Sequence, residues 1–232
     1  MNILATSGGF RPDRRTWLTV GPIIEFAFEL AGKPDRPKFC YVGTALGDNP
    51  LFANATQDAF IGRDVVVSNL AAFPMPSVAD VRAHLLAQDV VWVGGGSVAG
   101  LLAIWRLHGW DEIFREVWEA GVVLGGVSAG SLCWHAGGTT DSFGPELRAW
   151  TDGLGLIPGS NCPHYDSEAR RRPLYQRLVA EGALPPGYAA DDDVGLHYVG
   201  TELHEAVSAR AGAAAYRVDR DGEARVEARL LV

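Results

Sequence analysis

Val122-Val123-Leu124-Gly125-Gly126-Val127-Ser128-Ala129-Gly130 runs from an apolar strand straight into the pattern G-x-S-x-G. Read as strand, sharp turn and helix start, these residues form a nucleophile elbow. The flanking glycines let neighbouring backbone pass, and the turn lifts the Ser128 hydroxyl out of the sheet. It also points backbone N–H groups, that of Ala129 among them, at an incoming carbonyl oxygen. In a chain with 28 glycines the bare pattern also arises by chance or as a plain Gly-Ser turn, so its weight comes from the buried strand before it.

Outward from the elbow, short apolar runs alternate with helical patterns, the sign of repeated βαβ units around a parallel sheet. Strands are expected over residues 2–6, 38–42, 64–70, 90–93 and 122–125. Helices are expected over 16–30, from Ser77-Val78-Ala79-Asp80 onward as a capping-box-like start, and over 109–120. After about residue 185 the style changes. Residues 196–199, 205–209, 214–218 and 224–231 read as short antiparallel strands, with Asp219-Arg220-Asp221-Gly222 as the last turn. No repeat, low-complexity tract or linker intervenes, so residues 1–232 read as a single α/β domain with a β-rich C-terminal edge.

Composition narrows the function classes. With 232 residues and 47% hydrophobic content the chain can bury a real core. A net charge of -8 argues against a nucleic-acid binder, which shows a basic face to phosphates. Cys40, Cys133 and Cys162 are an odd number without C-x-x-C spacing, which disfavours a disulfide framework and a zinc site. No metal or cofactor is expected, and the cytoplasm is the expected compartment. Met1 leads directly into a strand-like segment rather than a signal, and no run of about 18 apolar residues offers a membrane span. Apolar surface on the C-terminal strands suggests a homodimer.

A second glycine cluster, Gly94-Gly95-Gly96, follows the strand ending at Val93. As a dinucleotide loop it is poor, because that fingerprint belongs after the first strand of a βαβ unit. As a loop facing the elbow it supplies the second oxyanion donor, Gly95 or Gly96, beside Ala129. A tight βα turn with no ligand is the plainer reading.

A serine nucleophile needs a base, and six histidines compete. His84 and His108 read as helix-surface or helix-end residues, His135 as pointing away on the helix that Ser128 starts, and His204 as part of a polar turn. His164 differs: in Asn161-Cys162-Pro163-His164-Tyr165 the proline restricts the backbone before the imidazole, at another crest of the same sheet edge. His197, within a strand-like run, is the reserve. The carboxylate that orients the imidazole is either Asp141, in Thr139-Thr140-Asp141, or a member of Asp191-Asp192-Asp193. Mutual repulsion raises the pKa of some of those three unless a cation or imidazolium lies close.

Taken together, Gly94-Gly95-Gly96, the elbow Gly126–Gly130, Thr139-Thr140-Asp141, Cys162-Pro163-His164 and the acidic segment around Asp192 resemble peptidase E, the α-aspartyl dipeptidase family of serine peptidases that also includes cyanophycinase. The resemblance implies a three-layer α/β/α fold with a mostly parallel central sheet, similar to class I glutamine amidotransferases. It further implies a serine exopeptidase acting on dipeptides or the N-terminal residue of short peptides, with Ser128 as nucleophile and His164 as base. The acid falls at Asp141 or Asp192 in that pattern. Two positions depart from it. The family's glycine loop continues with a substrate-contacting asparagine, and Ser97 stands here, so an N-terminal aspartate is not the expected preference. The family's carboxylate-binding arginine falls nearest Arg171. Alternatives are a cyanophycinase-like or amidase hydrolase, and a catalytically silent binding module on the same fold.

Overall fold

Apolar residues along the early strands alternate between two environments. Leu4, Phe39, Tyr41, Val90, Trp92 and Val123 are buried on one face, and Ile3, Ala5, Cys40, Val42, Val91, Val93 and Leu124 on the other. A period of two with both faces apolar demands a sheet covered by helices on each side. The computed structural model describes residues 1–232 and has that layering.

The chain runs β1 (Asn2–Thr6), the hairpin β2 (Arg11–Asp13) and β3 (Trp17–Thr19), α1 (Pro22–Leu30) and β4 (Lys38–Val42). It continues through α2 (Pro50–Asp58), β5 (Val66–Leu70), α3 (Val81–Leu86), β6 (Val90–Val93), α4 (Val98–Leu107), α5 (Trp110–Glu119) and β7 (Val123–Val127). Then come α6 (Ala129–Leu132), β8 (His135–Thr140), β9 (Arg148–Trp150), β10 (Ile157–Cys162) and α7 (Arg171–Ala180). The last strands are β11 (Gly187–Ala190), β12 (Val194–Val199), β13 (Glu202–Ser208), β14 (Ala214–Asp219) and β15 (Gly222–Leu230).

Helix α1 brings Ile23, Ile24 and Phe26 to the first face, while α4 and α5 bring Leu101, Leu102, Trp105, Phe114 and Val117 to the second. Each such side chain, fully buried, contributes about 1.5–3 kcal/mol. The sheet order is β5-β4-β6-β7-β1-β12-β13-β15-β14-β11-β10-β8-β9. From β5 to β1 every neighbour is parallel. Of the C-terminal strands, β12–β13 and β14–β15 pair antiparallel as expected, but β13 and β15 pair parallel, and the group occupies the middle of this order rather than an edge. β15 joins the two halves, pairing with β14 along Gly222–Glu227 and with β13 along Ala228–Leu230.

Two further expectations shift. The helix expected from Thr16 starts only at Pro22, after an extended Gly21. Pro22 suits a first helical position because it lacks the N–H that would go unbonded there. Residues 11–19 instead form a hairpin, its turn held by the Asp13 carboxylate, which accepts the N–H groups of Arg15 and Thr16. Likewise α3 is capped by Asp80, whose side chain accepts the Ala83 N–H, while the Ser77 hydroxyl bonds back to the Asn69 carbonyl.

Candidate active site

The end of β1 holds both halves of the site. β7 lies parallel to β1 with Val127 beside Thr6, and the next N–H, that of Ser128, donates to the Thr6 carbonyl at 3.0 Å. One residue on, the Ser7 hydroxyl accepts the His164 N–H at 3.2 Å and donates to the Ala190 carbonyl at 3.1 Å. Ser128 and His164 are thus tied to consecutive residues at one strand end, the N–H of the first to the Thr6 carbonyl and that of the second to the Ser7 hydroxyl.

Both sit in backbone conformations that non-glycine residues rarely adopt. Ser128 has φ 57° and ψ -111°, and His164 has φ 58°. Such geometry persists only where the surroundings over-determine it, and it collects at functional sites. At the elbow the constraint is visible. A Cβ on Gly126 would run into the Gly130 carbonyl, and one on Gly130 into the Val93 carbonyl at the end of β6. The Ser128 carbonyl accepts the N–H groups of Ser131 and Leu132, which starts α6 immediately after Ser128.

His164 Nδ1 lies 2.6 Å from Asp192 Oδ1. The three aspartates divide their work. Asp191 is buried and accepts the Ala214 N–H at 3.0 Å, and burial raises its pKa. Asp192 faces the imidazole. Asp193 takes φ 65°, and its carbonyl accepts the Ala209 N–H. Asp192 is itself held: its N–H donates to Asp166 Oδ1 at 2.8 Å, and Arg210 bonds Asp166 Oδ2 at 2.5 Å and the Asp192 carbonyl at 3.1 Å. Burial works against ionisation of Asp166, but the Asp192 N–H and the Arg210 guanidinium outweigh it and hold its pKa below the usual range. Arg210 is the cation that an acidic run of this kind requires. Ser7, Asp166 and Arg210 escaped the sequence reading. Asp166 stands two residues past His164, which is a signal, whereas Ser7 and Arg210 reach the site from positions that only the fold brings near.

Asp141 is placed elsewhere. It is exposed in the turn after β8, where its carbonyl accepts the Gly144 N–H, and the structure pairs His164 with Asp192 instead. Arg171 is also removed from a substrate-facing position. It is 3% exposed, its Nε bonds Glu168 at 2.7 Å and its Nη1 bonds the Thr139 carbonyl at 3.2 Å, so its guanidinium is occupied within the protein. Ser97 is the N-cap of α4, accepting the Gly100 N–H at 3.1 Å. His135 does not ride the helix after Ser128, because α6 is a single turn. It opens β8, fully buried, bonding the Ser131 carbonyl and Tyr198 hydroxyl, and burial lowers its pKa to about 4. His197 pairs with Leu4 in β12 and reaches Asn2 at the far end of β1, away from Ser128.

The glycine loop does face the elbow. A Cβ on Gly95 would stand 3.4 Å from Ser128 Cβ. The Gly94 N–H is taken by the Val42 carbonyl and the Ser97 N–H by the Ala45 carbonyl. Between them the N–H groups of Gly95 and Gly96 make no hydrogen bond within the protein. The Ala129 N–H, in the first turn of α6, has no intrahelical acceptor. Beside this loop opens an apolar cavity of about 260 Å³, bounded by Gly94, Gly95 and Val127 on the Ser128 side. No helix is long and apolar enough to cross a membrane.

The sequence model of peptidase family S51 matches residues 3–206. The uncharacterized peptidase YgaJ of Bacillus subtilis strain 168 is 44% identical over 186 residues, covering 80% of each chain. Among solved structures, a peptidase from an acI-B1 Actinobacterium has a TM-score of 0.67 at 17% identity, covering 98% of this chain and 94% of its own. A Listeria monocytogenes EGD-e protein assigned to peptidase E has a TM-score of 0.63 at 19% identity, covering 89% and 98%. At such identities these two structures speak for the fold alone.

Proposed function

Because the chain belongs to peptidase family S51, whose pattern spans residues 3–206, we propose that it is a serine exopeptidase hydrolysing dipeptides or releasing the N-terminal residue of short peptides. The observation that carries this reading is the strained Ser128 elbow, tied through one strand end to a His164–Asp192 pair 2.6 Å apart.

In this reading Ser128 Oγ attacks the scissile carbonyl carbon while His164 Nε2 takes the hydroxyl proton. Asp192 holds the other ring nitrogen protonated and stabilises the imidazolium as it forms. The developing oxyanion is met by the N–H groups of Ala129 and of Gly95 or Gly96, donors already in place before the charge appears. Collapse breaks the C–N bond, and His164 gives its proton to the leaving amine. Water then attacks the acyl-serine with His164 again as base, releasing the acid and restoring Ser128. Removal of divalent metals leaves this sequence of steps intact.

Incubation with a dipeptide library, with free amino acids read by mass spectrometry, tests the assignment. Wild type releases N-terminal residues in the presence of EDTA, and Ser128→Ala loses roughly 10³-fold or more of that rate. A Ser128→Ala rate within tenfold of wild type would remove Ser128 from the chemistry.

A further inference from the structure

The apolar cavity beside the glycine loop reaches the elbow through Gly95 and Val127. Its wall is made of Phe10, Leu18, Tyr41, Leu46, Phe52 and Trp92, with the buried Thr56 and the Gly8-Gly9 backbone completing it. No charged side chain lines it. Tyr41, the largest group there with a hydroxyl, carries no charge, and burial and then the nearby Asp48 push its phenol up to about 12. The hairpin of β2 and β3 forms one side through Leu18, and it is pinned to α2 by Trp17 against Phe52, ring centroids 5.3 Å apart.

The position of this cavity decides which part of a substrate enters it. Val127 precedes the nucleophile and Gly95 stands against Ser128 Cβ, and both bound the cavity. His164, Asp192 and Asp166 do not line it. The imidazole must stand on the leaving-amine side, since it protonates that nitrogen. The cavity therefore opens on the acyl side, next to the residue whose carbonyl is attacked.

Resting on the Ser128 peptidase reading, we propose that this cavity is the pocket for the side chain of the N-terminal residue, and that it selects large apolar side chains such as Phe, Leu and Met over Asp. An apolar cavity of about 150 Å³ holds a benzene ring, so about 260 Å³ admits an aromatic or long aliphatic side chain. A carboxylate entering the same space would lose its hydration and find no cation, since Arg171 is buried against Glu168 and Thr139. Filling the pocket favours Phe or Leu over Ala about ten- to hundredfold in kcat/KM, and disfavours Asp below Ala.

Aminoalkyl diphenylphosphonates bearing Phe, Leu, Ala or Asp side chains, with a small fluorophosphonate alongside, test this on the whole protein by the rate at which Ser128 gains mass. The expected order is Phe and Leu at least tenfold above Ala, with Asp slowest, and the same order in kcat/KM for the corresponding X-Ala dipeptides. Ser128 labelled at equal rates by all four, or fastest by Asp, overturns the pocket while leaving the nucleophile assignment standing. No adduct from any probe, the small fluorophosphonate included, overturns both. Leu18→Arg places a cation in the wall and lowers the Phe-to-Asp ratio at least tenfold. An unchanged ratio in a variant with wild-type thermal unfolding contradicts the proposal.

Discussion

Asp192→Asn removes the charge facing His164 Nδ1 across 2.6 Å while keeping the side chain's shape. In the proposed mechanism the imidazole becomes imidazolium as it takes the Ser128 proton, and the carboxylate attracts that charge. Two unit charges about 4 Å apart interact by about 4 kcal/mol near a protein surface and about 1 kcal/mol in bulk water. The His164 and Asp192 side chains are 23% and 38% exposed, which puts the pair between these limits. About 2–3 kcal/mol then separates the carboxylate from a neutral replacement, or about 30- to 160-fold in rate. Asparagine adds a second loss. Its amide N–H donates to Nδ1 and leaves the proton on Nε2, where the ring cannot accept from serine, and in a buried triad that tautomer costs about 10⁴ in kcat. Asp192→Ala is therefore expected to lose about 30- to 160-fold in kcat/KM, and Asp192→Asn roughly 10³-fold or more. The isosteric change is the worse of the two. Asp141→Asn, at an exposed turn, stays within about twofold, in the range of surface changes remote from the chemistry. The assay is steady-state hydrolysis of the best dipeptide substrate, with thermal unfolding of each variant to show an intact fold. Asp192→Asn keeping more than about a thirtieth of wild-type kcat/KM, or Asp141→Asn losing more than Asp192→Asn, would refute the reasoning, because about 2 kcal/mol, or about 30-fold, is the least the pair should contribute.

Other consequences concern the frame of the site. Gly130→Ala drives a methyl group into the Val93 carbonyl and toward the Gly94 carbonyl, and is expected to cost about 2–4 kcal/mol in urea unfolding. A loss under about 0.5 kcal/mol would show that the elbow tolerates a side chain there. His135 is buried with its pKa lowered to about 4, against about 6.5 in the unfolded chain. Between those values the unfolded chain binds a proton that the native state refuses, so stability falls as pH drops through that window and is untouched by this group above it. From pH 7 to 4.5 the cost is about 2–3 kcal/mol, and His135→Gln should lose less over the same interval. An identical pH dependence in both proteins contradicts the assignment. Arg171→Met removes the partner of Glu168 and Thr139, lowering stability by about 1–3 kcal/mol while leaving the order of N-terminal preferences unchanged. Selective loss of Asp-X cleavage would instead make Arg171 a substrate contact.

The elbow was legible because its signal is local: an apolar strand, then glycines at the two positions where Val93 and Gly130 carbonyls leave no room for a Cβ. His164 was legible for a similar reason, since Pro163 restricts the chain just before it. The aspartate run was ambiguous because Asp191, Asp192 and Asp193 have the same chemistry in sequence. Only the fold separates them, setting Asp191 against the Ala214 N–H and Asp192, held by Asp166, against the imidazole. The hairpin over residues 11–19 was hidden by a helical period that runs back past Pro22. The apolar pocket could not be read at all, because Phe10, Leu18, Tyr41, Phe52 and Trp92 come from separate elements and carry no common motif. The same holds for the central place of the C-terminal strands, which depends on β15 changing partners midway along its length.

Intact-mass analysis of the folded protein after exposure to a small fluorophosphonate, followed by peptide mapping, tests the central claim most directly. A single adduct on Ser128, absent from Ser128→Ala and formed at least roughly 100-fold more slowly in His164→Ala, is the expected result. No adduct on the folded protein, or an adduct that persists in Ser128→Ala, would contradict it.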